Sequence, residues 1–395
     1  MTFFVAVLIC IALAMFLIPA LVLLIQAVMA FPALRAQAPP DGHRPRIAIL
    51  VPAHNEEAGV ATTVASLISQ LQDGDRLLVI ADNCSDRTAG VAIAAGAEVR
   101  ERVDMERRGK GYALDFGVRC LKDNPPEVLI IVDADCVVSA GAIDRLARTS
   151  MRSGLPVQAL YLMHAPAGSG PMKKIAEFAW ILRNLVRPLG FHRLGLPCQL
   201  MGTGMAFPWA AISSASLANG HIVEDMKLGI DLALKGTPPL FCPDALVYST
   251  FPASTAGTHS QRTRWEHGHV SMILSEAPAL FAAGWRQRNI GIIALALDLC
   301  VPPVALLTLL VLVLFSCALV LGLVTGVMGP LGFATGALSA MGVAILVAWW
   351  RYGRQMLSPS NLSLAFLYML AKVPLYLRFF VNRQVEWVRS KRDTE

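Results

Sequence analysis

The sequence predicts an α/β domain with a mostly parallel sheet, carried between apolar membrane helices at the two ends of the chain. Hydrophobic residues make up 55% of the 395 residues and charged residues only 16%, with a mean hydropathy of +0.54. Soluble domains have about 25% charged residues, so the composition excludes an ordinary soluble enzyme and a disordered or fibrous protein. The apolar excess lies at both ends, and the middle alternates strand-like with helix-like runs.

The first apolar run predicts a transmembrane helix. It extends from Phe3 to Phe31 without a charged side chain, which is long enough to cross a hydrocarbon core of about 30 Å. A cleaved signal peptide is the alternative, because Ala36-Gln37-Ala38 is similar to a cleavage site. However, no Lys or Arg precedes the run, and the run is longer than a signal peptide requires.

Three further apolar stretches follow the middle of the chain. The stretches from about Leu299 to Leu323 and from Leu331 to Trp350 are separated by Gly329-Pro330, and both predict spanning helices. The last stretch, Leu362 to Val381, contains three residues that are unfavourable inside a bilayer: Lys372, Pro374 and Arg378. These residues favour a re-entrant or interfacial helix over a full span.

Basic residues beside the spans predict the orientation of the chain in an inner membrane. They are Arg35, Arg44, Arg46, Arg286, Arg288, Arg351 and Arg354, and the tail adds Arg383, Arg389, Lys391 and Arg392. These residues share one side if residues 36 to 290 are cytoplasmic and the N-terminus is outside. The net charge of +6 then faces anionic membrane lipids. Nucleic acid is not an expected partner, because no basic stripe is interleaved with aromatic residues.

The cysteines support a reducing compartment for the middle of the chain. All eight occur singly, without a CxxC pair, which fits the cytoplasm and argues against a disulfide framework or a zinc site.

The middle of the chain predicts alternating strands and helices. The predicted strands are Ile47–Val51, Leu77–Ala81, Glu98–Arg102 and Val128–Val132. The predicted helices are Ala58–Leu71, Arg87–Ala95, Gly111–Leu121 and, further on, Glu224–Lys235. Ligands of such folds gather at the carboxyl ends of the parallel strands.

Polar residues lie where three of the predicted strands end. They are His54-Asn55-Glu56-Glu57, Asp82-Asn83 and Asp133-Ala134-Asp135. Neither a GxGxxG fingerprint nor a GxxxxGK[ST] loop follows the first strand, which argues against a dinucleotide or P-loop site. A diphosphate could still be held through a divalent metal ion.

Asp133 and Asp135 are candidate metal ligands. Carboxylates at the mouth of a buried strand are the oxygen ligands that Mg²⁺ or Mn²⁺ prefers, in company with substrate phosphates. An Asp pair that is merely solvated, or that caps the strand end, is the alternative, because the Asp-x-Asp pattern by itself is common.

Two further positions suggest chemistry. Asp225 begins a predicted helix, where a partly enclosed carboxylate could serve as a general base. A first-turn acid that only complements the helix dipole is the alternative. Arg264 offers a planar fork of donors for phosphate and Trp265 a face for a sugar ring, although a Trp at the membrane interface is also common.

An ordered set of motifs resembles the family 2 glycosyltransferases, and more narrowly the membrane-embedded branch with cellulose, hyaluronan, chitin and poly-N-acetylglucosamine synthases. The motifs are Val51-Pro52-Ala53-His54-Asn55-Glu56-Glu57, Ala81-Asp82-Asn83-Cys84-Ser85-Asp86, Gly109-Lys110-Gly111-Tyr112-Ala113-Leu114, Asp133-Ala134-Asp135, Gly202-Thr203-Gly204, Val223-Glu224-Asp225 and Gln261-Arg262-Thr263-Arg264-Trp265. The resemblance covers Arg46 to about Ser275. It implies a GT-A-like nucleotide-sugar-binding domain.

The resemblance also implies roles for individual residues. The donor nucleotide-sugar would be contacted by Ala53, Asn55, Glu56, Asp82, Lys110, Asp133 and Arg264, with Asp82 near the base. Asp133 and Asp135 would hold Mg²⁺ or Mn²⁺ on the diphosphate. The catalytic pair would be Asp225, as the base, and its neighbour Glu224. The acceptor would lie near Gly202, Thr203, Gly204, Gln261 and Trp265.

The resulting expectation is a membrane-anchored, inverting, metal-dependent transferase that forms a β-glycosidic bond. Its donor would be UDP-linked, and its acceptor a growing surface polysaccharide or a lipid-linked saccharide, with export or assembly subunits as further partners. The predicted domains are 1–35 (a spanning helix), 36–280 (the cytoplasmic catalytic domain) and 281–395 (two or three spans with interfacial helices).

Two alternatives stay open at the level of the sequence. One is a single-addition transferase acting on a lipid such as diacylglycerol or ceramide, because few spans are present for threading a long polymer. The other is a noncatalytic membrane assembly subunit, against which the joint presence of Asp133, Asp135, Asp225 and Arg264 argues.

Overall fold

The computed structural model describes residues 2–33, 42–218, 223–252 and 255–381. These residues form two compact units. The first unit draws on Met1–Ala33, Ala165–Leu196 and Glu266–Gln384, and the second on Leu34–His164 and Pro197–Trp265. A segment from the middle of the chain thus belongs to the unit that contains the apolar ends. The residue boundaries of the three predicted domains stay a prediction.

The helices alternate with strands in the second unit and dominate the first. In chain order they are Thr2–Ala30 (α1), Val60–Ile68 (α2), Thr88–Ala94 (α3), Lys110–Cys120 (α4), Ala142–Ser153 (α5), Pro171–Ile181 (α6), Arg187–Arg193 (α7), Trp209–Ser213 (α8), Glu224–Leu234 (α9), Thr255–Arg286 (α10), Ile290–Leu299 (α11), Val304–Thr325 (α12), Gly329–Ala348 (α13), Pro359–Ser363 (α14), Ala365–Leu370 (α15) and Val373–Val381 (α16). Two π-helical segments, Leu182–Val186 and Trp349–Gly353, lie between them.

The described part of the second unit is built on one mixed sheet of eight strands. They are Ile47–Ala53 (β1), Arg76–Asp82 (β2), Glu98–Arg102 (β3), Val128–Ile131 (β4), Val137–Val138 (β5), Val157–His164 (β6), Met205–Pro208 (β7) and Leu240–Thr250 (β8). Their spatial order is β3-β2-β1-β4-β7-β6-β8-β5. Strands β1 to β4 pair in parallel, whereas β7 is antiparallel to both β4 and β6.

The parallel register brings the carboxyl ends of three strands to one edge. Ala53 of β1 pairs with Ala81 of β2, and Leu50 pairs with Ile131 of β4. The residues that follow these strands, among them Asp82 and Asp133, therefore lie along the same edge of the sheet. The sheet predicted from the alternating pattern is present, and its polar strand ends converge.

The core of the second unit explains why the predicted strands form. Every residue of β4 is buried, as are the first five residues of β1. Because both faces of these strands are covered, their sequences are continuous apolar runs. Helix α4 packs closely on β1 because Gly117 has no side chain. A β-carbon there would come within 2.4 Å of the Leu50 side chain.

Predicted and observed elements agree closely over the first half of this unit. Strand β3 has the predicted bounds, and the helix predicted from Glu224 begins at that residue as α9. The helix predicted from Ala58 to Leu71 is shorter, since α2 covers Val60–Ile68. Strands β5 to β8 were outside the sequence prediction, because their apolar runs are interrupted or very short.

Four helical stretches of the described residues are long and apolar enough to cross a membrane, judged by length and composition. They are Ala6–Ala30, Val304–Thr325, Gly329–Gly353 and Pro359–Phe379. The prediction that the second span begins at about Leu299 is wrong. Leu299 ends the separate helix α11, and Pro302-Pro303 separates it from α12, because proline cannot continue the backbone hydrogen-bond ladder.

The last apolar stretch is divided into α14, α15 and α16, and it is bound to the helix α10. Lys372 forms an ion pair with Glu266, and its ammonium lies 4.8 Å from the centre of the Tyr368 ring. The His267 ring nitrogen Nε2 lies 2.9 Å from the Leu375 carbonyl oxygen. The ion pair compensates the Lys372 charge, so a lysine in this apolar stretch is tolerated. The basic tail, Arg35 and the Ala36-Gln37-Ala38 alternative lie outside the described residues.

A buried polar network joins α1, α7 and α11 in the first unit. The Arg187 guanidinium donates to Asp298 Oδ1 at 2.9 Å, and Gln26 Nε2 donates to the same oxygen at 2.7 Å. All three residues are buried, so each member depends on the others for its hydrogen bonds. This network fixes the register of α1 against the helical segment that lies between β6 and β7 in the sequence.

Candidate active site

Asp133 and Asp135 lie directly beyond β4 with their ligand atoms close together. One ligand atom from each of Asp133, Asp135 and Cys136 falls within 4.8 Å of the others. The Asp133 backbone N–H donates to Thr203 Oγ1 at 3.0 Å, which anchors the first carboxylate to the turn before β7. The Cys136 thiol donates to Asp135 Oδ1 at 3.5 Å.

The donor set fits a hard divalent ion. Burial, together with the Asp135 and Asp133 carboxylates, raises the pKa of Cys136 well above its usual range, so the thiol stays protonated and is a poor ligand. The two carboxylates are then the protein ligands, which suits Mg²⁺ or Mn²⁺ with phosphate oxygens completing the shell. The predicted Asp-x-Asp metal site is confirmed as a candidate site of this kind.

The Gly202-Thr203-Gly204 turn lies beside these carboxylates. Gly202 has φ +91° and Gly204 has φ +64°, conformations that glycine adopts readily. The turn is held from below by Gln158 of β6. Its Nε2 donates to the Thr203 carbonyl at 2.9 Å, and its Oε1 accepts from the Met201 N–H at 2.7 Å.

Gln158 was missed by sequence reasoning. Its one signal in the sequence is a long polar side chain inside the apolar run of β6, where burial demands partners for every polar atom. A buried glutamine in such a run indicates a neighbouring backbone segment whose N–H and carbonyl groups are satisfied by the glutamine side chain.

Lys110 bridges the turn and the carboxylates. Its Nζ donates to the Gly202 carbonyl at 2.6 Å, forms an ion pair with Asp133 and lies 3.9 Å from Glu224 Oε1. Burial alone would lower the pKa of Lys110, but the Asp133 and Glu224 carboxylates outweigh burial and raise it. The lysine is therefore a permanent positive charge within the site.

Glu224 and Asp225 begin α9 on the other side of the turn. The position that a β-carbon of Gly202 would occupy lies 3.4 Å from Asp225 Oδ2, 3.7 Å from Lys110 Nζ and 4.0 Å from Asp133 Oδ2. The carboxylates of Asp133, which follows β4, and Asp225, which lies on α9, thus both lie close to Gly202. Burial raises the pKa of Glu224 to about 7, with Lys110 opposing and Asp225 adding to the rise.

The other predicted nucleotide contacts lie at the ends of β1 and β2. Ala53 is buried as the last residue of β1, and Asp82 is buried as the last residue of β2. Asn55 has φ +54°, and its side chain donates to Ser85 Oγ and accepts from the Ser85 backbone N–H across the two loops. The Glu56 backbone N–H donates to Thr88 Oγ1 at 2.7 Å.

The remaining predicted residues lie on α10. Gln261, Arg264 and Trp265 are half-buried, and the Arg264 charge acts on Glu224, whose pKa it helps to lower. His267 and His269 are buried and bind the carbonyl oxygens of Leu375 and Leu299. These two histidines therefore contribute to packing between helices of the first unit.

Comparison with known proteins identifies related sequences. A sequence model of the family described as "Glycosyltransferase like family 2" matches residues 45–268. The chain is 24% identical over 258 residues to the probable glycosyltransferase YdaM of Bacillus subtilis (strain 168). That match covers 58% of this chain and 56% of YdaM, so the chain spans about half the length of this relative.

Two solved structures are similar to this chain to different degrees. Mannosyltransferase PcManGT from Pyrobaculum calidifontis, solved with GDP-Man and Mn²⁺, matches with a TM-score of 0.56 and 17% identity, over 95% of this chain and 99% of that one. Glucosyl-3-phosphoglycerate synthase from Mycobacterium tuberculosis, solved with Mn²⁺, UDP and phosphoglyceric acid, matches with a TM-score of 0.41 and 20% identity, over 58% and 78% of the two chains. The predicted GT-A-like α/β fold with apolar helices is confirmed.

Proposed function

Because the chain belongs to glycosyltransferase-like family 2, whose enzymes transfer sugars from nucleotide donors, we propose that it is a membrane-anchored, inverting transferase using a UDP-linked donor. The acceptor is a hydroxyl group of a lipid-linked saccharide or of a growing surface polysaccharide. The observation that carries this proposal is the convergence of Asp133, Lys110 and Asp225 around Gly202. That arrangement supports a diphosphate-binding role for Asp133 and Lys110 and a proton-accepting role for Asp225 on two sides of one turn.

The reaction is a single displacement at the anomeric carbon. A bond forms between the acceptor oxygen and that carbon, while the bond from the carbon to the donor's diphosphate oxygen breaks and its electron pair leaves with the nucleoside diphosphate. The proton of the attacking hydroxyl moves to the Asp225 carboxylate, which lies on the α9 side of the turn. Attack from the face opposite the leaving group inverts the anomeric centre and produces the β-linkage.

The charges of the site complement the leaving group. Lys110 is a permanent cation beside Asp133, and Arg264 supplies a second cation close enough to act on Glu224. Fixed positive charges near the departing diphosphate stabilise the charge that develops on it. A divalent ion on Asp133 and Asp135 would add Lewis-acid stabilisation of the same diphosphate.

The membrane part explains the choice of acceptor. Four apolar helical stretches are long enough to cross a bilayer, and α10 connects the Gln261–Trp265 motif to them along the chain. An acceptor that is attached to a lipid, or made at the membrane, suits a transferase whose chain is itself anchored in the membrane.

The decisive experiment measures nucleotide release from the full chain in lipid nanodiscs. A panel of UDP-sugars is supplied with Mn²⁺, with Mg²⁺ or with chelator, together with a membrane lipid extract as acceptor. We expect release that favours one sugar, requires the metal ion and falls at least about 100-fold in Asp225→Asn.

Asp231→Asn is the matched control, because Asp231 lies on the same helix as Asp225 and forms an ion pair with the half-buried Lys227. Its turnover should equal that of the wild type. Absence of release with every sugar, while nucleotide still binds, would contradict the proposal and favour a noncatalytic assembly subunit. Analysis of the product lengths then distinguishes a polymerising transferase, which gives a ladder of lengths, from one that adds a single sugar.

A further inference from the structure

Two arginines of the first unit bind the backbone at the end of α1. Arg193, the last residue of α7, donates from Nη1 to the Met29 carbonyl and from Nη2 to the Pro32 carbonyl, each at 2.8 Å. Arg351, in the π-helical segment that follows α13, donates from Nε to the Phe31 carbonyl at 3.1 Å. Both guanidinium groups are thereby brought to the same short stretch of backbone.

The positive charges of Arg193 and Arg351 have no carboxylate partner among the described residues. In the described part of the first unit, four residues carry a carboxylate, and none of them pairs with either arginine: Glu177, Glu266, Glu276 and Asp298. The end of a helix carries about half a negative elementary charge, which offsets only part of two guanidinium charges. Within the described chain Arg351 uses only Nε for hydrogen bonds, so both of its terminal amino groups stay available as donors.

A third arginine and two aromatic rings lie beside these two arginines. The Arg354 guanidinium lies 5.0 Å from the centre of the Trp350 ring, and the Arg351 guanidinium lies 5.3 Å from the centre of the Tyr352 ring. Tyr352 Oη donates to the Ala30 carbonyl at 2.5 Å. Arg354 is exposed, as is 55% of Trp350. We call Arg193, Arg351 and Arg354 the arginine cluster.

The arginine cluster lies where two candidate membrane spans end. The apolar stretch of α1 is Ala6–Ala30, and the stretch that includes α13 is Gly329–Gly353. An exposed Trp beside basic residues at the end of a span is typical of the boundary between hydrocarbon and lipid headgroups. At this depth lipid phosphates are the abundant anions, and a guanidinium binds a phosphate group through two parallel hydrogen bonds.

We propose that the arginine cluster is a binding site for the phosphate of an anionic phospholipid. Arg351 and Arg354 bind the phosphate, Trp350 packs against the upper part of an acyl chain, and Arg193 holds the end of α1 in place. A lipid with a net negative charge is preferred over phosphatidylcholine, because choline already neutralises the phosphate of that lipid. The site belongs to the first unit alone and does not depend on the proposed sugar transfer.

Native mass spectrometry of the full chain measures which lipids stay bound to it. The protein is released from nanodiscs that contain equal amounts of phosphatidylglycerol and phosphatidylcholine. We expect phosphatidylglycerol to be enriched at least about tenfold among the lipids retained by the wild type, because two arginines attract its charge. The double variant Arg351→Gln with Arg354→Gln should retain the two lipids in nearly equal amounts.

The matched control removes the same charge elsewhere in the first unit. Arg286 and Arg288 are exposed, so Arg286→Gln with Arg288→Gln should keep the enrichment of the wild type. Arg354→Gln alone guards against misfolding, because among the described residues Arg354 forms no hydrogen bond with α1. This single variant should lower the enrichment by about threefold or more.

Thermal melting in nanodiscs is the second measurement. The wild type should melt at a higher temperature with phosphatidylglycerol than with phosphatidylcholine alone, and the Arg351→Gln, Arg354→Gln variant should not. Equal enrichment of the two lipids on the wild type would overturn the proposal. So would an equal loss in both pairs of variants, which would show only a general attraction to an anionic surface.

Inorganic phosphate distinguishes the lipid from a free anion. Added to phosphatidylcholine nanodiscs, it should leave the melting temperature unchanged. A rise as large as that with phosphatidylglycerol would identify a site for free phosphate and overturn the lipid proposal. Neither measurement reads sugar transfer, so the proposed function stands or fails separately.

Discussion

Gly202 lies among the side chains of Asp225, Lys110 and Asp133, and it leaves the space between them open. Its φ of +91° disfavours any other residue, and a β-carbon would lie 3.4 Å from Asp225 Oδ2 and 3.7 Å from Lys110 Nζ. We expect Gly202→Ala to lower sugar transfer by at least about tenfold per folded molecule, because the added methyl group lies where substrate atoms must pass.

Gly236→Ala is the control that separates the loss of sugar transfer from the effect of backbone strain. Gly236 has a φ of +89° but nothing within 4 Å of its β-carbon position. Both variants should therefore lose about 1–2 kcal/mol of stability from the left-handed backbone. Only the first should lose transfer activity, and equal activity losses in the two variants would contradict the placement of Gly202.

The raised pKa of Glu224 gives stability a defined pH dependence. Burial raises this pKa from an ordinary value of 4.5 to about 7, so the folded chain binds the proton more tightly than the unfolded chain. Glu224 therefore makes its full contribution to the free energy of unfolding below pH 4.5, the ordinary pKa that it has in the unfolded chain. This contribution is lost as the pH rises towards about 7.

Melting curves of the wild type and of Glu224→Gln measure this contribution. The melting temperature of the wild type, relative to the variant, should fall between pH 4.5 and about 7 and stay level above that window. A difference between the two proteins that is independent of pH would show that the Glu224 carboxyl is not buried as described.

At the scale of the helices, α7 approaches α1 as closely as backbones allow. A β-carbon on Gly190 would lie 2.2 Å from the Gln26 carbonyl oxygen and 2.6 Å from its Cα, both of which are backbone atoms. Backbone atoms cannot rotate away, so Gly190→Ala must push the two helices apart. We expect a stability loss of about 3 kcal/mol or more, with disruption of the neighbouring contact between Gln26 and Asp298.

Gly336→Ala in α13 is the control for this helix contact. Nothing lies within 4 Å of its β-carbon position, so the variant should melt at or slightly above the temperature of the wild type. Thermal melting in detergent, followed by intrinsic fluorescence, gives both values. A melting temperature of Gly190→Ala that equals that of Gly336→Ala would contradict the close approach.

At the scale of the whole molecule, the basic residues beside α12 and α13 predict a membrane orientation. Arg286 and Arg288 precede α12 and Arg354 follows α13, so the turn between the two helices should face the outside. In a variant without native cysteines, we expect Val327→Cys to react with an impermeant maleimide in right-side-out vesicles. Asp123→Cys, on an exposed loop of the second unit, should react only in inside-out vesicles.

Labelling of both positions from the same side of the membrane would contradict this orientation. It would also show that α12 does not cross the bilayer. The measurement therefore tests the spanning helix and the direction of the chain together.

The amino-acid sequence by itself determined the strand and helix pattern from β1 to β4 and the carboxylates at the ends of these strands. Strands β1 to β4 are encoded by short apolar runs, and Asp82, Asp133 and Asp135 follow such runs directly. Local signals suffice here, because burial of a parallel strand on both faces requires a continuous apolar run.

Only the tertiary structure decided which of these polar groups act on one another. Lys110 meets the Gly202 carbonyl across 92 residues, Gln158 supports Thr203 across 45, and Arg102 engages Asp82 across 20. The segment Ala165–Leu196 likewise lies in the apolar unit, although neighbouring strands lie in the other. Such pairings depend on the packing of distant elements, and the energy of an ion pair or buried hydrogen bond exists only once folding has removed water from both partners.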